Sequence, residues 1–315
     1  MRTTTLGSGG PTVGRIGLGT MGMSFAYDPH SRDDEVSVRV VRQALDLGVN
    51  LIDTADVYGP FTNEELVARA LAGRRDEVVL STKGGVRFDG VDHTLNGRPA
   101  YLRSALESSL RRLGTDHVDL YFLHRVDPAV PVEESWGALA ELVAAGKARR
   151  IGISEMTLDE LRRAQAVHPV AAVQSELSLF TRDFLGDVVP YCAAEGIAFL
   201  CHSPLGSGLL SGRYPTPTVL EDGDHRAEMP RFAAEALAAN HRLVEAVRTV
   251  GARHDATSAQ VALAWLLAQG DHVIPIPGTK TERYLKQNIA AADLVLTPAD
   301  LAELDALPAP VGARE

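Results

Sequence analysis

Four ionisable side chains stand at the ends of three short apolar runs. Asp53 and Tyr58 lie in Asp53-Thr54-Ala55-Asp56-Val57-Tyr58-Gly59, Lys83 in Ser81-Thr82-Lys83-Gly84, and His124 in Leu123-His124-Arg125. A carboxylate, a phenol, an ammonium and an imidazole brought to one place suit the reduction of a carbonyl. A phenol titrates near 10, too high to release a proton readily at neutral pH. A neighbouring ammonium is expected to lower that value, and a carboxylate keeps the ammonium charged and positioned. An imidazole within reach can hold the carbonyl oxygen or relay the proton. Singly, each has a plainer role: Asp53 capping a loop, Tyr58 packing, Lys83 solvated, His124 structural. Four such groups at successive run ends are not easily explained that way. None of them supplies a hydride, so a cofactor is required.

Positioning these groups requires strands, and the chain alternates strand-like and helical patterns almost throughout. The strands read as Ile16 to Gly19, Asn50 to Asp53, Val78 to Thr82, Val118 to Leu123, Arg149 to Ile153, Val170 to Gln174, Ile197 to Cys201 and His272 to Ile276. Between them run helices with one apolar face, such as the one carrying Leu102, Leu106, Leu110 and Leu113, opened by Pro99 and stopped by Gly114. Thr157 with Glu160 has capping-box spacing, and Thr257 caps a later helix. A helix is expected from Asp183 to Glu195, an irregular loop after Gly84, and a polar loop, mobile lid or disordered, from Arg213 to Pro230. Eight strand–helix units in succession predict an α/β fold, a closed (β/α)8 TIM barrel, rather than an open doubly wound sheet. Gly7-Ser8-Gly9-Gly10-Pro11 predicts an extra hairpin before the barrel. No break in composition divides residues 1–315, so a single domain with extra helices is expected.

With 31 Lys and Arg against 41 Asp and Glu, the formal net charge is −10, and no basic block interrupts it. Nucleic acid and anionic membrane are therefore not expected as partners. No apolar stretch approaches the roughly 20 residues needed to span a bilayer, and no signal-peptide run opens the chain. Cys192 and Cys201 read as buried thiols, which points to a reducing, cytoplasmic location. No metal site is assigned, and neither monomer nor homo-oligomer is favoured.

Barrels often bind phosphate in the loops after strands seven and eight. The first of these is Ser203-Pro204-Leu205-Gly206-Ser207-Gly208, whose glycines let backbone amides approach a pyrophosphate. The second, Pro277-Gly278-Thr279-Lys280, leads into a helix whose N-terminus attracts anions, with Lys280 and Arg283 adding charge. Gly17-Leu18-Gly19-Thr20-Met21-Gly22 matches the dinucleotide fingerprint GxGxxG, but no helix opens on those glycines. It reads instead as a tight loop, Gly19-Thr20-Met21, touching the nicotinamide ribose through its backbone.

The segments LIDTADVYG, LSTKGG, SLRRLGTDHVDLYFLHRVDP and IPIPGTKTERYLKQN resemble the aldo-keto reductase superfamily, including its pyridoxal and general aldehyde reductases. The resemblance covers nearly the whole chain. It implies that Tyr58 is the general acid, Lys83 its activator, Asp53 the partner of Lys83, and His124 the residue that orients the carbonyl. It further implies NADPH as cofactor, with Lys280 and Arg283 on the ribose 2′-phosphate and Gln287 and Asn288 on adenine. Ser154 and Gln174 would hold the nicotinamide carboxamide. Glu155 stands where many relatives carry Asn, and His202 where many carry a ring that stacks on nicotinamide. A small-molecule carbonyl is the implied substrate, with Phe25, Tyr27, Phe88 and His93 as candidates for lining its pocket. The same barrel also serves NADPH-binding regulatory subunits like the potassium-channel β subunits, which stand as the alternative.

Overall fold

Alternation of apolar residues along the strands decides which side chains face the barrel axis. In the computed structural model, which describes residues 1–88, 90, 92–214 and 218–314, the hairpin strands are β1 (Thr3–Thr5) and β2 (Thr12–Gly14), paired antiparallel. The barrel strands are β3 (Leu18–Gly19), β4 (Leu51–Asp53), β5 (Val79–Gly84), β8 (Val118–Leu123), β9 (Ala148–Ser154), β10 (Ala172–Glu176), β11 (Ala198–His202) and β12 (Val273–Pro275). They lie in the order β3-β4-β5-β8-β9-β10-β11-β12, all parallel. A parallel bridge from Gly19 to Gly278, with the Gly17 N–H donating to the Pro275 carbonyl at 2.9 Å, joins the first strand to the last and closes the barrel.

Leu51, Val79, Leu120, Phe122, Ala172, Leu200 and Ile274 fill the interior together with Leu6 and Val13 of the hairpin. The hairpin therefore plugs the floor of the barrel. Ile52, Leu80, Tyr121, Leu123, Ile153 and Val173 alternate with them and pack outward against the helices. The same period of two carries Asp53, Lys83, His124, Ser154, Gln174 and His202 inward at the upper rim, where the interior layers stop.

The helices are α1 (Asp34–Asp46), α2 (Thr62–Leu71), α3 (Pro99–Leu113), α4 (Val132–Ala144), α5 (Leu158–Val167), α6 (Val188–Glu195), α7 (Ala234–Arg253), α8 (Ser258–Leu267), α9 (Glu282–Ala290) and α10 (Pro298–Asp305). Thr157 and Thr257 both form reciprocal capping boxes, with Glu160 and Gln260 respectively. Three expectations need correction. The loop after Gly84 contains a second hairpin, β6 (Val86–Phe88) with β7 (His93–Leu95). The helix expected from Asp183 starts only at Val188, after a single 3-10 turn. The sixth strand runs two residues later than its apolar run suggested. Extra helices were expected, but α10 had been given no position among them. Among the described residues no helix is long and apolar enough to cross a membrane.

Candidate active site

The register of the strands brings the four ionisable groups together. Asp53 pairs with Ser81 across β4 and β5, and Lys83 with Phe122 across β5 and β8, one step below His124. The Lys83 ammonium donates to Asp53 Oδ2 at 2.6 Å, to the Thr54 carbonyl at 2.8 Å and to Tyr58 Oη at 3.2 Å. Ser81 Oγ at 2.7 Å and Gln174 Nε2 at 2.9 Å donate to the other carboxylate oxygen of Asp53. The Tyr58 and His124 rings meet edge to face, 5.9 Å between centroids. Lys83 and Asp53 are almost fully buried, so this ion pair is satisfied by direct partners rather than by water.

Burial dominates the proton affinities. It would by itself pull the Lys83 ammonium down, but the Asp53 carboxylate and the Tyr58 hydroxyl hold its pKa above the usual value. Burial pushes the Tyr58 phenol above its ordinary 10, and the opposing field of Lys83 only partly offsets this. The expected lowering of the phenol is therefore corrected: Tyr58 keeps its proton throughout the neutral range, as a donor must. His124 is driven far below 6.5, first by burial and then by the charges of Lys83 and Arg125. It is a neutral imidazole, and its Nδ1 is buried without a hydrogen-bond partner among the described residues.

Asp53, Tyr58 and His124 open onto a cavity of about 660 Å³ that runs from them to the N-terminus of α9. Every residue assigned above to the cofactor lines it except Thr20 and Gly206. The Thr20 hydroxyl instead turns away, to the Asp53 carbonyl at 2.8 Å and Asn63 Oδ1 at 2.6 Å. Of the residues assigned to substrate, Phe25 and Tyr27 line the cavity. Phe88 and His93 do not; they stack on each other on the second hairpin, and His93 meets the edge of Phe25 at 6.0 Å. Ser154 Oγ is buried at the cavity wall with no partner among the described residues. An unpaired buried hydroxyl costs free energy unless something polar meets it, so it fits an amide-bearing ligand. Among the described residues, Ala26, Asp28, Ser203 and Ser207 also line the cavity with positive φ. Non-glycine residues held there store about 1–3 kcal/mol each, and such strain gathers at ligand sites.

Glu155 does not face the cavity. Its carboxylate accepts from the Glu176 N–H at 2.7 Å, from His202 Nε2 at 2.8 Å and from Arg314 Nη2 at 2.6 Å. Those bonds, led by His202 against the cost of burial, hold its carboxyl far below the usual carboxylate range. His202 reaches the cavity wall with its ring fixed by that contact. Arg314, close to the C-terminus, also lines the cavity; no local pattern in the sequence marked it.

The segment from Arg213 to Pro230, of which residues 215–217 lie outside the described residues, is tied across the cavity mouth. Arg226 is buried between the rings of Tyr27 and Tyr214, 4.7 and 5.1 Å from their centroids. It bonds Asp28 Oδ1 at 2.7 Å and both oxygens of Asp224, while Asp224 accepts from the Asp28 N–H at 2.8 Å. Arg213 and Lys280 also approach Asp28, at 3.3 and 3.6 Å. Three cations thus face two carboxylates, leaving net positive charge where the rim meets α9. Replacing Arg226 with Gln is expected to raise the rate of chymotryptic cleavage after Leu220 by at least about tenfold, because proteolysis follows local opening. Intact-mass analysis of timed digests would measure it, and an unchanged rate would mean that these contacts do not hold the strap.

The description "Aldo/keto reductase family" matches residues 15–309. "Probable aldo-keto reductase 1" of Glycine max is 43% identical over 302 residues, covering 95% of this chain and 86% of the relative. A glycerol dehydrogenase from Gluconobacter oxydans superposes with a TM-score of 0.86 at 30% identity, over 96% of this chain and 94% of that one. An aldo/keto reductase from Klebsiella pneumoniae, solved in complex with NADP and acetate, superposes with a TM-score of 0.74 at 28% identity, over 97% and 95% of the two chains. A family match along the whole barrel, together with a phenol, an ammonium and a carboxylate joined at its rim, places the chain in the aldo/keto reductase family.

Proposed function

We propose that the protein reduces an aldehyde or ketone to the alcohol with NADPH, Tyr58 acting as general acid. The observation that carries this reading is the buried contact of Lys83 with both Asp53 and Tyr58 beside a cavity of about 660 Å³ that reaches the N-terminus of α9. The NADP bound by the Klebsiella pneumoniae relative supports the choice of cofactor. When bound, NADPH would supply the hydride. Everything else falls to the chain. Ser154 and Gln174 would hold the carboxamide, Gly208 and Ser207 the pyrophosphate, and Gln287 and Asn288 the adenine.

A carbonyl oxygen seated between Tyr58 Oη and His124 meets one hydroxyl donor and one neutral imidazole. As negative charge develops on that oxygen, the Tyr58 proton moves to it. The phenolate left behind is stabilised by the Lys83 ammonium, which Asp53 holds in place. Phe25 and Tyr27 give the mouth an apolar, aromatic wall that excludes water from the reacting oxygen. Mixing the protein with NADPH and a panel of aldehydes and ketones, while following nicotinamide absorbance, tests the reading. No oxidation with any of them would overturn it. The regulatory-subunit alternative has no observation of its own in this structure.

Cofactor choice has a separate test. Arg283 lines the cavity beside Lys280, with its guanidinium over the Tyr284 ring. A charge-assisted bond to a 2′-phosphate contributes about 1.5–3 kcal/mol. Arg283→Ala should therefore raise the NADPH dissociation constant roughly 10- to 100-fold and leave that for NADH nearly unchanged, as read by fluorescence titration. Equal weakening of both would remove Arg283 from the phosphate site.

A further inference from the structure

Behind the barrel wall lies a second set of buried ionisable groups, outside the cavity and unused by the chemistry above. Strand parity turns Thr82 of β5 outward, and its hydroxyl donates to Glu64 Oε1 of α2 at 2.6 Å. The other oxygen of Glu64 accepts from Arg112 Nε of α3 at 2.7 Å, with Nη2 of the same guanidinium in ion-pair contact at 2.7 Å. Glu64 is wholly buried and fully partnered. Asp56 is buried too, at 3% exposure, but its Oδ1 has no hydrogen-bond partner among the described residues. Its N–H donates to the Lys83 carbonyl at 3.2 Å, and it stands two residues before Tyr58 on the same loop.

Charge cannot balance in this pocket if both carboxyls ionise. Arg112 is committed to Glu64, and the Lys83 ammonium points to Asp53 and Tyr58. The remaining neighbours are the phenols of Tyr101 on α3 and Tyr121 on β8. Both are kept neutral by burial and then by the field of Asp56, Tyr101 being pushed up to about 12. Burial, then the charge of Glu64, pushes the Asp56 carboxyl up to about 8, against the weaker pull of Arg112, of a hydrogen bond from the Val57 N–H and of Lys83.

We propose that Asp56 is a positioning residue that works as a neutral, proton-bearing acid, so that the Lys83–Tyr58 couple feels one carboxylate, Asp53, and not two. Loss of that proton adds a negative charge behind Lys83, stabilises the neutral phenol and makes Tyr58 a weaker donor. The rate of reduction therefore steps down in mild alkali to a lower plateau, by about three- to tenfold if the donor weakens by up to one pKa unit. Tyr58 keeps its proton above 10 and His124 is neutral well below 6.5, so neither titrates in that window.

The test has two arms. Infrared spectra of the full chain, without cofactor or substrate, should show a protonated carboxyl at about pH 7 that is gone by about pH 9 and is absent from Asp56→Asn. In kcat profiles, the wild type should show the alkaline step, Asp56→Asn should stay on the upper plateau, and Glu64→Gln should move the step toward acid. A wild type with no protonated carboxyl at neutral pH, or a step that persists unaltered in Asp56→Asn, would overturn the proposal. If Asp56→Asn does not fold, the wild-type spectrum and the Glu64→Gln shift decide it. The kinetic arm rests on the reductase reading, whereas the infrared arm does not. Absence of turnover with every carbonyl would thus count against that reading and leave Asp56 to be judged by its spectrum.

Discussion

Tyr58→Phe is expected to lower kcat for carbonyl reduction by roughly 10²–10⁴-fold, the usual worth of a positioned general acid. The ring stays, and with it the stacking on Phe25 at 6.3 Å and the edge contact with His124. Only the hydroxyl is lost, and among the described residues its one hydrogen bond is from Lys83, which retains Asp53 and the Thr54 carbonyl. The melting temperature and the NADPH dissociation constant should therefore stay close to those of the wild type. That split, turnover lost with binding and fold kept, distinguishes a proton donor from a packing residue. Turnover within a few-fold of wild type would remove Tyr58 from the acid role and shift attention to His124, which also faces the cavity.

The barrel was legible because its strands are short apolar runs of even spacing, and the rim residues because a period of two can be counted from the interior layer. Leu51 predicts Asp53, Val79 predicts Lys83, and Leu120 predicts His124, each by whole steps of two. The second hairpin was hidden because β6 and β7 bury little: His93–Leu95 is exposed along its length, so no apolar alternation announces it. For α10 a signal was present in Thr297 with Asp300 and Pro298, a capping box with proline in the first turn, followed by the buried Leu304. The strap was out of reach, since Arg226 and Asp28 meet from 198 residues apart. The sign of the Tyr58 shift was misread for a related reason. Spacing showed the ammonium that lowers a phenol, but desolvation depends on everything else packed around it, and that is a property of the folded chain.

Lys83→Met should be the more damaging of the two changes, because it strikes stability and catalysis together. An ammonium near the phenol contributes about 4 kcal/mol to phenolate stability at an effective dielectric constant near 20, so kcat should fall roughly 10³-fold. The same substitution leaves Asp53 charged, buried and without its cation. Breaking one side of a buried ion pair costs about 3–5 kcal/mol. Here the lower end is expected, since Ser81 and Gln174 still donate to the carboxylate. At about 1.5 °C per kcal/mol for a chain of this size, from an unfolding entropy of about 2.1 cal/mol/K per residue, the melting temperature should drop by about 5 °C. Adding Asp53→Asn removes the stranded charge, and the two effects then separate. The double variant should recover most of the lost melting temperature while kcat stays depressed, because the phenolate still lacks its ammonium. Recovery of kcat along with stability would mean that Lys83 only props up the fold. In that case the ion pair at the barrel rim would be structural, and the proton would have to come from another donor.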